Sequence, residues 1–175
     1  MNQVEVFEEI DAPPDVVWDV LLDFEAYPSW NPFIRSIEGE PVPGEQLRVR
    51  IDPPESRAFT FKPEVIFVEE NRRLVWLGRL GVPFAFDGYH EFHLEPIGGG
   101  ESSGARQTSE DRGSSGSEYS WSERDSDGAT RTRLLQRETV RGALVPLLFD
   151  RDEIARGFRA MNEALKERAE ARVVA

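Results

Sequence analysis

The chain has no cysteine, only two histidines and only two lysines among its 175 residues. The missing thiols exclude disulfides and thiolate metal sites. Two imidazoles are too few for a dedicated zinc or iron centre, so no metal or cofactor is expected. No apolar run is long enough to span a bilayer. The first residues alternate like a strand and lack the charged-then-apolar order of a secretory leader, which points to a cytoplasmic location. Positive charge is also scarce: 21 Lys and Arg stand against 33 Asp and Glu, a formal net charge of −12. That balance argues against a nucleic-acid backbone or an anionic membrane surface as partner. Lys62 and Lys166 are the only lysines. An acidic surplus with so little lysine fits a halophilic cytoplasm, and an arginine-favouring genome is the other reading. There is no P-loop, no Gly-x-Gly-x-x-Gly after a strand and no nucleophile elbow. Gly98-Gly99-Gly100 opens no helix and reads as loop.

What is present fits one domain over residues 1–175, long enough to bury a core. Its organising stretch is the last run, from Val145 to about Arg172. Leu147, Ile154, Phe158, Met161 and Leu165 recur at helical spacings, and one helix over that span would be roughly 35–40 Å long. Such a helix must bury its apolar stripe on something broad, and the earlier chain offers mainly strands. Residues 3–11 alternate with Val4, Val6, Glu8 and Ile10 on one side. Pro13, Pro14 and Asp15 then start a short helix through Leu22, with a second short turn or helix at Glu25–Tyr27. Leu47, Val49 and Ile51 mark another strand. Phe59, Phe61, Val65 and Phe67 read as one further strand, in which Pro63 signals an edge or a bulge. Glu70-Asn71-Arg72 turns the chain into Leu74–Leu77.

Residues 84–95 are the most informative strand. Phe84, Phe86, Gly88, His90, Phe92 and Leu94 share the inward parity, and Ala85, Asp87, Tyr89, Glu91, His93 and Glu95 the outward one. Residues 98–128 are rich in Gly, Ser, Glu, Asp and Arg and read as an enlarged polar hairpin insertion. Tyr119-Ser120-Trp121 within it could add a little strand. The last strand places Thr132, Leu134, Gln136, Glu138 and Val140 on one face, opposite Arg131, Arg133, Arg137 and Arg141. If it pairs with 84–95, His90 and Glu138 both point inward.

The segment Ile10-Asp11-Ala12-Pro13-Pro14-Asp15-Val16-Val17-Trp18, followed by Asp23-Phe24-Glu25-Ala26-Tyr27-Pro28-Ser29-Trp30-Asn31-Pro32-Phe33, resembles the opening of the START-like, or SRPBCC, superfamily. Gly88-Tyr89-His90-Glu91-Phe92, Gln136-Arg137-Glu138 and Phe158–Lys166 resemble its polyketide cyclase/dehydrase and lipid transport branch. The resemblance covers nearly all of the chain except residues 98–128. It implies an α+β helix-grip fold (Bet v 1-like/START-like), a curved antiparallel sheet wrapped around a long C-terminal helix, with two short helices after the first strand and an apolar cavity beneath. It also places Trp30 and Phe33 at the cavity mouth, where they could gate entry. The other reading of Trp30 is a staple holding the short helices to the sheet.

Candidate ligand-binding residues are Trp30, Phe33, Phe59, Phe61, Trp76, Phe86, His90, Phe92, Leu134, Gln136, Glu138, Phe158, Met161 and Leu165. A greasy wall with a few polar anchors is the usual make-up of a small-molecule site; the same aromatics could instead fill a core. His90 and Glu138 form a hydrogen-bonded anchor, or else a proton-transfer pair for a bound carbonyl compound. Gly157 costs helix stability, which close approach of the sheet or a ligand would explain. Three functions follow: noncatalytic carriage of a small hydrophobic molecule such as a lipid, isoprenoid or polyketide-like compound; a cyclase or dehydratase using His90 and Glu138; and a module that docks a protein partner through the sheet or the insertion.

Overall fold

The computed structural model describes residues 2–53, 55–79, 85–98 and 131–174. The expectations for residues 99–128, Tyr119-Ser120-Trp121 included, and for Phe84 lie outside that range. Strand β1 (Asn2–Ile10) leads into helix α1 (Pro14–Leu22), where Pro14 and Asp15 occupy the first turn as expected. A 3₁₀ turn at Phe24–Ala26 runs into the short helix α2 (Tyr27–Trp30). Strands β2 (Ile34–Glu38), β3 (Arg48–Ile51), β4 (Phe59–Phe61), β5 (Glu64–Glu69), β6 (Arg73–Arg79), β7 (Asp87–Ile97) and β8 (Arg131–Arg141) follow. The chain closes with helix α3 (Val145–Leu148) and helix α4 (Arg151–Val174).

The strands form an antiparallel five-stranded sheet ordered β1-β8-β7-β6-β5 and a three-stranded sheet ordered β2-β3-β4. The two are tied at one corner. Leu47 N–H donates to Pro63 O at 2.9 Å, Gly44 N–H to Val65 O at 2.8 Å and Val65 N–H to Glu45 O at 2.9 Å. The result is a bent surface holding α4 in its concavity, with Phe158, Met161, Leu165 and Ala169 buried against it. This is the helix-grip architecture.

Three expectations need correction. Residues 59–67 are two strands in two sheets, because Pro63 has no N–H to extend a ladder and its carbonyl instead receives Leu47. Past Pro63 a register shift between Val65 and Phe67 leaves Phe67 exposed. Strand β2 was not foreseen; Ile34 and Ile37 are buried, but an irregular register hides their alternation. The final run is two helices, because Phe149 adopts extended φ and ψ of −112° and 102°. Asp150 then restarts the chain by accepting the N–H groups of Asp152 and Glu153, both at 3.0 Å. Leu147 falls on the short segment and is 79% exposed, so the apolar stripe begins at the half-buried Ile154.

Candidate functional site

Register builds the site. Cross-strand neighbours on the concave face of the five-stranded sheet form rows. One row is Leu74, Phe92, Gln136 and Val6; the next is Trp76, His90, Glu138 and Val4; the next is Gly78, Gly88 and Val140. The first row is filled and wholly buried. The third carries almost no side chain. Empty space therefore opens beyond the middle row, bounded on the far side by the start of α4. It is a cavity of about 420 Å³. Its inner wall holds Phe33, Ile34, Trp76, His90, Glu138, Val140 and Phe158, and its rim holds Ser56, Phe59, Thr60, Arg79 and Asp150.

His90 is 6% exposed and fixed on every side. Trp76 stacks on it at 4.9 Å between centroids and 12° between planes. Phe92 and Phe158 meet it edge-on at 4.7 and 5.1 Å. Its Nδ1 lies 2.8 Å from Glu138 Oε2, and Gln136 Nε2 lies 3.2 Å from its Nε2. Gln136 is fully buried, and its NH₂ also reaches the sulfur of Met161 at 3.6 Å. With the amide NH₂ placed toward the ring, the network assigns the tautomer in which Nε2 accepts and Nδ1–H donates to Glu138; this is an assignment from the hydrogen-bond pattern. The chain Gln136–His90–Glu138 therefore ends on a carboxylate at the cavity wall. Gly88 makes that position possible, since a Cβ there would overlap Glu138 Oε1.

Gly157 has the matching role on the helix: a Cβ there would overlap the ring of Phe33, which packs edge-on to Phe158 at 5.8 Å. The helical glycine thus admits an aromatic of the cavity wall. The rim is latched by a residue that sequence reasoning missed. Glu153 is 8% exposed and accepts both Glu55 N–H at 3.0 Å and the Ser56 hydroxyl at 2.8 Å. Arg156 pairs with Glu55 at 3.1 Å, and Asp52 N–H donates to Phe33 O at 2.9 Å. The segment after β3 is thereby strapped to the first turn of α4. A capping signature, Asp150 with Glu153 three residues on, was visible in the sequence; its use as a latch was not.

Eight of the candidate residues lie on the cavity wall or rim: Phe33, Phe59, Phe61, Trp76, Phe86, His90, Glu138 and Phe158. Phe92, Leu134, Met161 and Leu165 are wholly buried core residues beneath it, and Gln136 stands behind His90. Trp30 is away from the cavity, packed at 4.9 Å on Tyr27. Tyr27 is fully buried, its hydroxyl donates to Leu21 O at 2.7 Å, and burial beside Asp23 raises its pKa. Phe33 belongs to the inner wall and is 2% exposed, which does not match a position at the mouth. Gly78, Gly88 and Glu153 are among the lining residues that the candidate set did not include. Among the described residues no three His, Cys, Asp or Glu side chains converge as a metal site, and no helix is long and apolar enough to cross a membrane.

An aromatic-walled cavity under a sheet that grips a helix defines a helix-grip ligand-cavity protein. The model of the polyketide cyclase/dehydrase and lipid transport family matches residues 1–173, and the chain belongs to that family. It is therefore of the hydrophobic-ligand-binding or cyclase type. Solved structures share the fold at low identity. An aromatase/cyclase from a Streptomyces species superposes with a TM-score of 0.63 at 19% identity, covering 98% of this chain and 95% of that one. A START superfamily protein from Mycobacterium smegmatis gives 0.57 at 19% identity, with 98% and 96% covered. A norcoclaurine synthase point mutant from Thalictrum flavum, in complex with a transition-state analogue, gives 0.62 at 14% identity, again with 98% and 96% covered. No curated protein matches the chain.

Proposed function

We propose that the protein binds and carries a small hydrophobic molecule, without turning it over, in the cavity between the sheet and α4. The observation that carries this reading is the cavity itself: about 420 Å³ walled by Phe33, Phe59, Phe61, Trp76, Phe86 and Phe158, with Glu138 as its inner polar anchor. That volume lies within the range of drug-sized ligand sites. Burial of an apolar guest contributes about 25 cal/mol per Å² before ordering costs. A cyclase or dehydratase is the second reading, and the His90–Glu138 pair at 2.8 Å supports it. Carriage ranks first because both ring nitrogens of His90 already have protein partners. The imidazole thus keeps no free nitrogen for a guest.

The test is native mass spectrometry of protein purified from its own host, followed by titration with the neutral dye Nile red. Carriage predicts a co-purifying apolar molecule, saturable dye binding, and displacement of the dye by the extracted molecule in unaltered chemical form. Release of that molecule as a changed product would replace carriage by catalysis. A ligand-free mass together with no dye uptake would end the cavity reading altogether.

A further inference from the structure

The cavity carries more polar chemistry than a plain grease pocket, and nearly all of it is already used. Glu153 spends both carboxylate oxygens on Glu55 N–H and the Ser56 hydroxyl. Asp150 Oδ1 caps α4. Arg79 lies 3.6 Å from Asp87, and the His90 ring is held by Glu138 and Gln136. One atom differs. Glu138 Oε2 receives His90, whereas among the described residues no donor meets Glu138 Oε1. That oxygen is turned over Gly88, at the floor of the cavity, in the space a side chain there would take.

The free polar atom on the inner wall is therefore an acceptor and bears negative charge. Among the described wall residues Arg79, on the exposed rim and paired with Asp87, is the one basic side chain apart from the His90 ring, and it stands against Glu138, Asp150 and Glu153. An unpartnered acceptor on the inner wall favours a guest that donates a hydrogen bond. It disfavours one that brings a second anion, since two carboxylates sharing one site oppose each other's ionisation.

Resting on the cavity-binding reading, we infer that the occupant is an apolar molecule whose polar end is a neutral or cationic donor: a phenol, an alcohol or an amine. That end donates to Glu138 Oε1. Carboxylate- or phosphate-headed amphiphiles, free fatty acids among them, are rejected by the same oxygen. His90 and Gln136 act as positioning residues that hold the carboxylate in place. Gly88 sets selectivity by leaving room for it.

The experiment uses the full chain and probes matched in their apolar part: 2-naphthol against 2-naphthoic acid, and dodecylamine against dodecanoic acid. Each is titrated against bound Nile red at pH 7, where the phenol is neutral and the acids are ionised. The expected result is at least tenfold tighter binding of the donor-headed member of each pair. In Glu138→Gln, whose amide can also donate, the acids gain and the preference falls about tenfold or more. Equal or tighter binding of the acids to the native protein would overturn the inference while leaving the cavity reading intact, since the dye would still report a working cavity. Failure of the dye and all four probes to bind would remove both. An unchanged preference in Glu138→Gln, with the dye still bound, would take the selectivity away from Glu138 and overturn the assignment. The native-protein comparison stands even if that variant does not fold.

Discussion

Strands β7 and β8 carry two surfaces built on opposite physics. The concave one buries Phe92, Leu94, Leu134 and Gln136 and holds His90 between the stacked Trp76 and the edge-on Phe158. The convex one is a ladder of charge. Arg137 bridges Glu5 at 3.1 Å and Glu91 at 3.7 Å, and Arg73 meets Glu91 at 2.7 Å. Arg133 joins Glu9 at 3.2 Å and Glu95 at 3.5 Å, and Arg131 reaches Asp11 at 2.7 Å. Hydrogen bonding to Asp11 raises the Arg131 pKa further. On the concave side a lost atom leaves a void that close packing cannot heal; on the convex side water replaces a lost partner. Adjacent residues of one strand should therefore differ severalfold in mutational cost.

The sharpest contrast comes from Trp76. Trp76→Ala removes a nearly fully buried indole and the stacking partner of His90, and should cost about 3–5 kcal/mol, read from urea denaturation midpoints. Next come the two glycines that make space. Gly157→Val and Gly88→Val force side chains into Phe33 and Glu138, and each should cost about 1–3 kcal/mol and reduce Nile red uptake. Stability loss with unchanged uptake would mean that the cavity does not depend on those rows. Glu153→Ala removes the latch on the segment after β3. About 1–2 kcal/mol should be lost, and amide exchange at Glu55 should accelerate. On the convex face, Arg133→Ala, whose partners Glu9 and Glu95 are exposed, should cost no more than about 1 kcal/mol, with the difference shrinking at high salt. A larger, salt-insensitive loss there would erase the contrast between the faces.

The smallest effect concerns pH. His93 lies on the convex face, half-buried, and burial lowers its pKa despite the opposing pull of Glu91. The folded state thus binds the His93 proton less readily than the unfolded chain. This contribution to stability is whole above the unfolded histidine pKa, about 6.5, and is lost as pH falls from there toward the lowered folded value. His93→Gln should flatten the stability profile slightly in that window, as measured by thermal melts across pH 5–7.5. An unchanged profile would show that the half-buried site does not discriminate against the charged ring.

Where burial follows strand parity, the chain is readable. In β8, Thr132, Leu134, Gln136 and Val140 alternate with arginines, and the structure buries that set. The pairing of His90 with Glu138 followed from placing β7 beside β8. Reading failed where local pattern and tertiary partner part company. Leu147 kept helical spacing with Ile154 across a break that Phe149 and Asp150 impose. Glu153 drew no attention in the sequence, because its role depends on the chain after β3 being held by it. Phe67 held the right parity but lost it to a register shift.

Composition and periodicity by themselves determined the parts list: an acidic, thiol-free chain, strands with one greasy face, and a terminal helix needing a broad partner. These are properties of single segments, and hydrophobic alternation encodes them locally. The tertiary structure alone decided where space remains. Gly78 and Gly88 are unremarkable within their own strands, and only the β6–β7 register sets them side by side next to the Trp76–His90–Glu138 row. A cavity is an absence shared among neighbours from distant parts of the chain, so no one segment can spell it.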